Sequence, residues 1–187
     1  MIISGRIRSI RRYVKGASII LNKKYILLGV TTGVIVILDQ ITKLYVDATM
    51  RLHESIPVIQ GLFSITHVRN PGAAFGFLAD ASPLFRAIFF VAVTVLAIVL
   101  VLHYIWKSRA EEQLLTFALS LILSGAVGNL IDRVRFGEVI DFLDVYIGST
   151  HWPAFNVADS AISVGAVILL IEIMRGGKNS RTDAKRK

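Results

Sequence analysis

The chain has 187 residues, 54% of them hydrophobic, with a mean hydropathy of +0.64. That is too apolar for a soluble domain of this length, and the apolar residues fall in long blocks. A net charge of +8 would suit nucleic acid, but the basic residues gather at the ends of these blocks, and the absence of cysteine excludes disulfides, thiol chemistry and Cys-ligated metal.

The chain opens with a basic arm, residues 1–24. Its apolar residues Ile3, Ile7, Ile10, Val14, Ala17 and Leu21 recur in alternating steps of four and three, with basic residues largely between them. The arm reads either as a helix lying on an anionic membrane surface or as an unstructured basic tail. A helix needs roughly 20 residues to cross ~30 Å of hydrocarbon. Four blocks qualify: 25–46, 84–106, 114–131 and 157–174. The last two are a little short, so they are expected to stand nearly upright or to begin in buried protein. The first is too long for a signal-peptide core and no small-x-small cleavage site follows it, so it is expected to be retained.

Seven of the 21 basic residues precede the first block (Arg6, Arg8, Arg11, Arg12, Lys15, Lys23, Lys24), and six follow the last (Arg175, Lys178, Arg181, Lys185, Arg186, Lys187). Lys107 and Arg109 stand in the short loop between blocks two and three. The positive-inside rule makes all three regions cytoplasmic, which agrees with an even number of spans and both termini inside. Residues 47–83 and 132–156 are then outer segments, and 25–174 is one four-helix membrane domain. Within the first, "LFSITHVRN" (62–70) is rich in β-branched and aromatic residues and reads as a strand, followed by a Pro-Gly turn in "NPGAAFGF". The basic tail, 175–187, reads as cytoplasmic, and its polar last dozen residues as unstructured.

Ionisable groups inside a membrane are costly and point to function. Asp39 and Lys43 lie four apart in the outer third of the first span and can pair. Asn129, Asp132 and Arg133 close the third span, Asn156 and Asp159 open the fourth, and Asp141 and Asp144 lie between. Nearly every strong polar group thus falls at one depth, near the outer face. A small proton-coupled transporter, the alternative reading, needs such groups at the midplane and through the inner halves, where the chain offers mainly Thr31, Thr32, Thr116 and Ser120. An enzyme acting at the outer leaflet fits better. No HExxH is present and the four histidines are scattered, so neither a metal nor another cofactor is expected. No G-x-S-x-G is present either. Carboxylates remain: two aspartates a few Å apart cannot both ionise, so one activates a water while the protonated one polarises a carbonyl. Spacing leaves Asp132, Asp141, Asp144 and Asp159 all open for this role. Each also has a plainer reading: Asn156 with Asp159 as a capping box, Asp132 with Arg133 as an interfacial ion pair.

Five ordered motifs carry a resemblance: "LDQITK" (38–43), "NPGAAF" (70–75), "GAVGNLIDR" (125–133), "VIDF" (139–142) and "FNVADSAI" (155–162). Together they resemble the lipoprotein signal peptidases (signal peptidase II), membrane aspartyl peptidases of bacteria. The resemblance implies an all-α polytopic fold of four transmembrane helices, with a small extracytoplasmic β-sheet from the first outer segment and a lid-like helix and loop from the second. It makes Asp141 and Asp159 the catalytic pair. It makes Asp132 and Arg133 supporting residues, and gives Asn129 and Asn156 the orienting of the pair or of the substrate backbone. Asp39 and Lys43 become part of a polar wall, and Asn70, Gly72 and Gly125 the lining of a substrate channel. The implied substrate is a preprolipoprotein bearing a diacylglyceryl-cysteine, cleaved just before that cysteine in the cytoplasmic membrane, with membrane lipids as surroundings and globomycin-type cyclic depsipeptides as inhibitors. No nucleic acid is expected as a partner.

Overall fold

In the computed structural model the described residues are 2–72 and 81–184, with side chains for 23–72 and 81–175. The side chains of arm residues 1–22 and all of residues 73–80, which hold the end of "NPGAAF", lie outside them. The elements in order are α1 (Ile2–Thr49), β1 (Ser55–Ile59), β2 (Phe63–Asn70), α2 (Pro83–Lys107), α3 (Gln113–Phe136), β3 (Val139–Ile147), β4 (Thr150–His151) and α4 (Val157–Ala184).

Among the described residues four helical stretches are long and apolar enough to cross a membrane: Lys23–Thr49, Pro83–Lys107, Gln113–Phe136 and Val157–Arg175. They cover the four apolar blocks. No proline precedes Pro57 and none follows Pro153, so nothing in the sequence breaks α1 between arm and span. For the same reason α4 runs on to Ala184 through a polar tail expected to be unstructured.

The bundle is built around α3, most of whose buried side chains are small or polar: Ala118, Ser120, Ser124, Ala126 and Asn129 are all buried, with Gly125 and Gly128 beside them. Lipid tails are as apolar as leucine, so close backbone approach replaces the hydrophobic drive between helices. A Cβ on Gly125 would fall 2.2 Å from the Ala158 carbonyl oxygen, and one on Gly165 2.7 Å from that of Ala118. The outward faces of α1, α2 and α4 expose Val34, Ile41, Leu96, Val99, Val167 and Leu170, as a bilayer-facing surface does. At one end of the bundle the buried Lys24 donates to the Ser108 carbonyl at 2.7 Å, joining the start of the first span to the α2–α3 connection. At the other end lies the sheet.

The sheet is antiparallel with order β1-β2-β3-β4. The expected strand 62–70 is β2. The second outer segment, expected to supply a lid-like helix and loop, instead supplies β3 and β4. Six of the nine residues of its "VIDFLDVYI" are β-branched or aromatic, and Gly137 (φ 78°) ends α3 in a left-handed turn that starts it. Phe155 then returns against β3: its carbonyl accepts from the N–H groups of Phe142 (3.0 Å) and Leu143 (2.8 Å). That return brings the start of α4 beside the first residues of β3.

Candidate active site

The site begins as a buried ion network. Lys43 Nζ lies 2.8 Å from Asp39 Oδ2 and 2.9 Å from Asp132 Oδ2, and donates to Asn129 Oδ1 at 2.9 Å. Asp39, Lys43 and Asp132 are all within 1% of full burial. Buried charges persist only when every oxygen and proton is partnered, and here they are. Asp39 Oδ1 accepts from the Ala158 N–H (2.9 Å), and Asp132 Oδ2 from the Ile140 N–H (3.2 Å). Gln40 Nε2 spans the two carboxylates, 3.2 Å from Asp39 Oδ2 and 2.9 Å from Asp132 Oδ1. Asp132 therefore pairs with Lys43, not with Arg133, whose guanidinium lies 5.5 Å from the Phe90 ring centroid. The network fastens the first turn of α4 and the start of β3 to α1 and α3.

Those two fastened points carry Asp159 and Asp141. Asp141, in β3, accepts from Asn156 Nδ2 at 2.7 Å on one oxygen and from Asn70 Nδ2 at 2.8 Å on the other. Asp159 accepts from Asn129 Nδ2 at 2.8 Å and from the Asn156 N–H at 3.3 Å. The Asp159 N–H in turn donates to Asn156 Oδ1 at 2.9 Å, so Asn156 and Asp159 form a reciprocal cap on α4. Asn156 is fully buried and holds both aspartates, one through its side chain and one through its backbone. Burial pushes the Asp141 carboxyl up to about 7 from its ordinary 3.8; the charge of Asp159 adds to this, and the Asn70 and Asn156 bonds oppose it.

Asp141 and Asp159 both line one cleft of about 610 Å³. Its β2 wall is Val68, Arg69, Asn70 and Pro71, its opposite wall Trp152 to Phe155, and Ser163 lies one turn beyond Asp159. The other two aspartates left open by spacing go elsewhere: Asp132 to the ion network, Asp144 to a pair with His151 (2.9 Å) on the β3–β4 hairpin. Gly72 (φ 98°) donates its N–H to Asn70 Oδ1 at 2.8 Å, and a Cβ there would strike the Phe90 ring at 2.2 Å. Gly125 lies away from the cleft, in the α3–α4 crossing, where the Ala158 carbonyl leaves no room for a side chain. Gln40 and Arg69 were not singled out in the sequence, although each stands inside or beside a quoted motif. Among the described residues, no three His, Asp or Glu side chains are grouped so as to hold a metal ion.

The sequence model of Signal peptidase (SPase) II matches residues 31–175. The chain is 54% identical over 158 residues to the lipoprotein signal peptidase of Syntrophus aciditrophicus, covering 84% of this chain and 98% of that protein. It is 58% identical over 139 residues to that of Geobacter sulfurreducens, covering 74% and 86%. A bacterial membrane enzyme solved by the in meso method at 2.3 Å superposes with a TM-score of 0.72 at 32% identity, over 81% of this chain and 90% of that one. A second, solved at 1.9 Å, gives 0.69 at 34% identity, over 78% and 91%. These relatives set aside the transporter alternative: the chain belongs to the signal peptidase II family and is a multi-pass membrane protease.

Proposed function

We propose that the chain is an aspartyl endopeptidase that removes the signal peptide from diacylglyceryl-modified prolipoproteins, cutting just before the lipidated cysteine. The observation that carries this reading is the shared cleft: two carboxylates open into it, and every oxygen of both accepts a hydrogen bond from an asparagine side chain or backbone. One proton is shared by the pair and rests on Asp141, whose carboxyl is held near 7. Asp159, ionised, takes a proton from a water as that water attacks the scissile carbonyl carbon. The Asp141 proton passes to the carbonyl oxygen, giving a neutral tetrahedral diol. On collapse the C–N bond breaks, Asp159 returns its proton to the cysteine nitrogen, and the diol hydroxyl gives one back to Asp141. The pair leaves with its single proton restored, and the products are a carboxylic acid and an amine.

The enzyme is placed in the bacterial cytoplasmic membrane with both termini inside and the cleft near the outer leaflet. Support comes from the charges: Lys23, Lys24, Lys107, Arg109 and Arg175 all stand at span ends remote from the sheet, and Lys24 ties the first span to the α2–α3 connection. At that depth a signal helix can stay in lipid while its lipidated end meets the cleft. The same cleft is the proposed target of globomycin-type depsipeptides. The test is cleavage of a purified, lipidated prolipoprotein by Asp141→Asn and Asp159→Asn, each checked for an unchanged melting profile. Both are expected to lose turnover entirely, and the wild type to keep it in chelator; wild-type turnover by either variant sinks the pair.

A further inference from the structure

Arg69 stands in the cleft wall beside Asn70, yet the scheme above leaves it no task. Its guanidinium is held from two sides. One Nη pairs with Asp47 at the outer end of α1, and Cζ lies 4.6 Å from the Phe136 ring centroid at the end of α3. His67 Nε2 lies 3.3 Å from the same carboxylate oxygen. Among the described residues Arg69 makes no other hydrogen bond, and its side chain keeps 21% of its surface exposed.

A guanidinium presents five N–H donors in a rigid fork. Asp47 fixes one arm and the aromatic ring takes the face, while the residue lines the cleft and its side chain stays partly exposed. A tie that served only to staple β2 to α1 would need no opening onto the catalytic cleft. The facing wall, Trp152 to Phe155, is apolar in its side chains apart from the indole N–H. Asn70 is already committed to Asp141 and Gly72. Arg69 is therefore a charged donor of the cleft that the scheme leaves uncommitted, and what it can take is an acceptor on the substrate.

We propose that Arg69 is a substrate-binding residue that donates to a carbonyl oxygen of the lipidated substrate next to the scissile bond, a main-chain carbonyl or an ester carbonyl of the diacylglyceryl group. This deepens the reading of the cleft as the peptidase site. A charge-assisted bond of this kind is worth roughly tenfold or more in affinity.

The test measures binding where nothing is cut. A lipidated prolipoprotein peptide is titrated into Asp141→Asn protein, and into the same background carrying Arg69→Gln or Asp47→Asn. Arg69→Gln is expected to weaken binding about tenfold or more, and Asp47→Asn, which keeps the guanidinium, by no more than about threefold. Both variants lose the Asp47–Arg69 ion pair, so a folding effect of that loss cancels in the comparison. Equal weakening by the two, or none by Arg69→Gln, overturns the proposal. A substrate with ether-linked chains separates the sources: a selective loss that persists assigns the main-chain carbonyl, one that vanishes assigns the ester. Turnover of the Asp141→Asn background is measured alongside binding, so failure of the Arg69 assignment is distinguishable from failure of the catalytic pair.

Discussion

The Lys43 ammonium lies 2.9 Å from Asn129 Oδ1, and this contact turns the Asn129 amide so that its NH2 group faces Asp159 at 2.8 Å. The same device recurs at the other two asparagines. The Asp159 N–H on Asn156 Oδ1 turns that NH2 toward Asp141, and the Gly72 N–H on Asn70 Oδ1 does so for the second Asp141 oxygen. An amide can offer a carboxylate either its donor or its acceptor end. Here each acceptor end is occupied, so only the donor is left.

Asn129→Ala removes the Asp159 bond while leaving Lys43 between Asp39 and Asp132. The expected result is a drop in kcat of roughly 10 to 100-fold with KM nearly unchanged, since the bond positions the base rather than the substrate, and a stability loss of only about 1–2 kcal/mol. Steady-state cleavage with a melting curve checks it. A rise in KM at constant kcat would place Asn129 on the substrate instead.

Lys43→Met carries a different cost. It leaves Asp39 and Asp132 buried and uncompensated, with Gln40 as their remaining side-chain donor. Breaking a buried pair of this kind costs about 3–5 kcal/mol. A large fall in melting temperature in detergent is therefore expected along with lost activity. A variant as stable as the wild type would mean that the network is not held by Lys43.

Gly128 tests how tightly α1 sets the start of α4. A Cβ there would lie 2.5 Å from Asp39 Oδ2 and 3.3 Å from the Ala158 Cβ, and Asp39 in turn receives the Ala158 N–H. Gly128→Ala must push Asp39 off that N–H and move the turn bearing Asp159. Destabilisation of about 1–3 kcal/mol and a loss of kcat are expected. Gly33→Ala, with nothing within 4 Å of the added methyl, is the control and should be neutral or slightly stabilising.

The spans and the gathering of polar groups at one end of the bundle were readable because both follow from patterns in the chain itself: block length, and the position of charges along each block. Strand β2 was readable from its alternation. Pairing across elements was not. Asp132 sits next to Arg133 in sequence but pairs with Lys43, 89 positions earlier. The choice among Asp132, Asp141, Asp144 and Asp159 was likewise closed to spacing, because it depends on the return of Phe155 against β3. Gly125 looked like a channel residue, yet its lack of a side chain answers to the Ala158 carbonyl, a contact between distant helices. Arg69 escaped notice because it has no partner near it in sequence: Asp47 and Phe136 belong to other elements.

The raised Asp141 pKa makes a two-part prediction with a definite sign. In the proposed mechanism the pair needs one proton, so kcat/KM should fall as pH rises through about 7, where Asp141 gives up its proton and both carboxylates are charged. Stability changes in an earlier window. Below the ordinary value of 3.8 the carboxyl is neutral in folded and unfolded chains alike and costs nothing. Between 3.8 and about 7 the unfolded chain ionises while the folded one resists, so wild-type stability declines as pH rises; above 7 the penalty is constant. The decline runs at about 1.4 kcal/mol for each pH unit across that window, and less where water reaches the cleft, so the whole penalty is a few kcal/mol. Asp141→Asn does not titrate, so the melting temperature of the variant minus that of the wild type should grow from about pH 4 to 7 and then level off. A difference flat across that range, or activity still climbing at about pH 9, would show that burial does not hold the proton on Asp141.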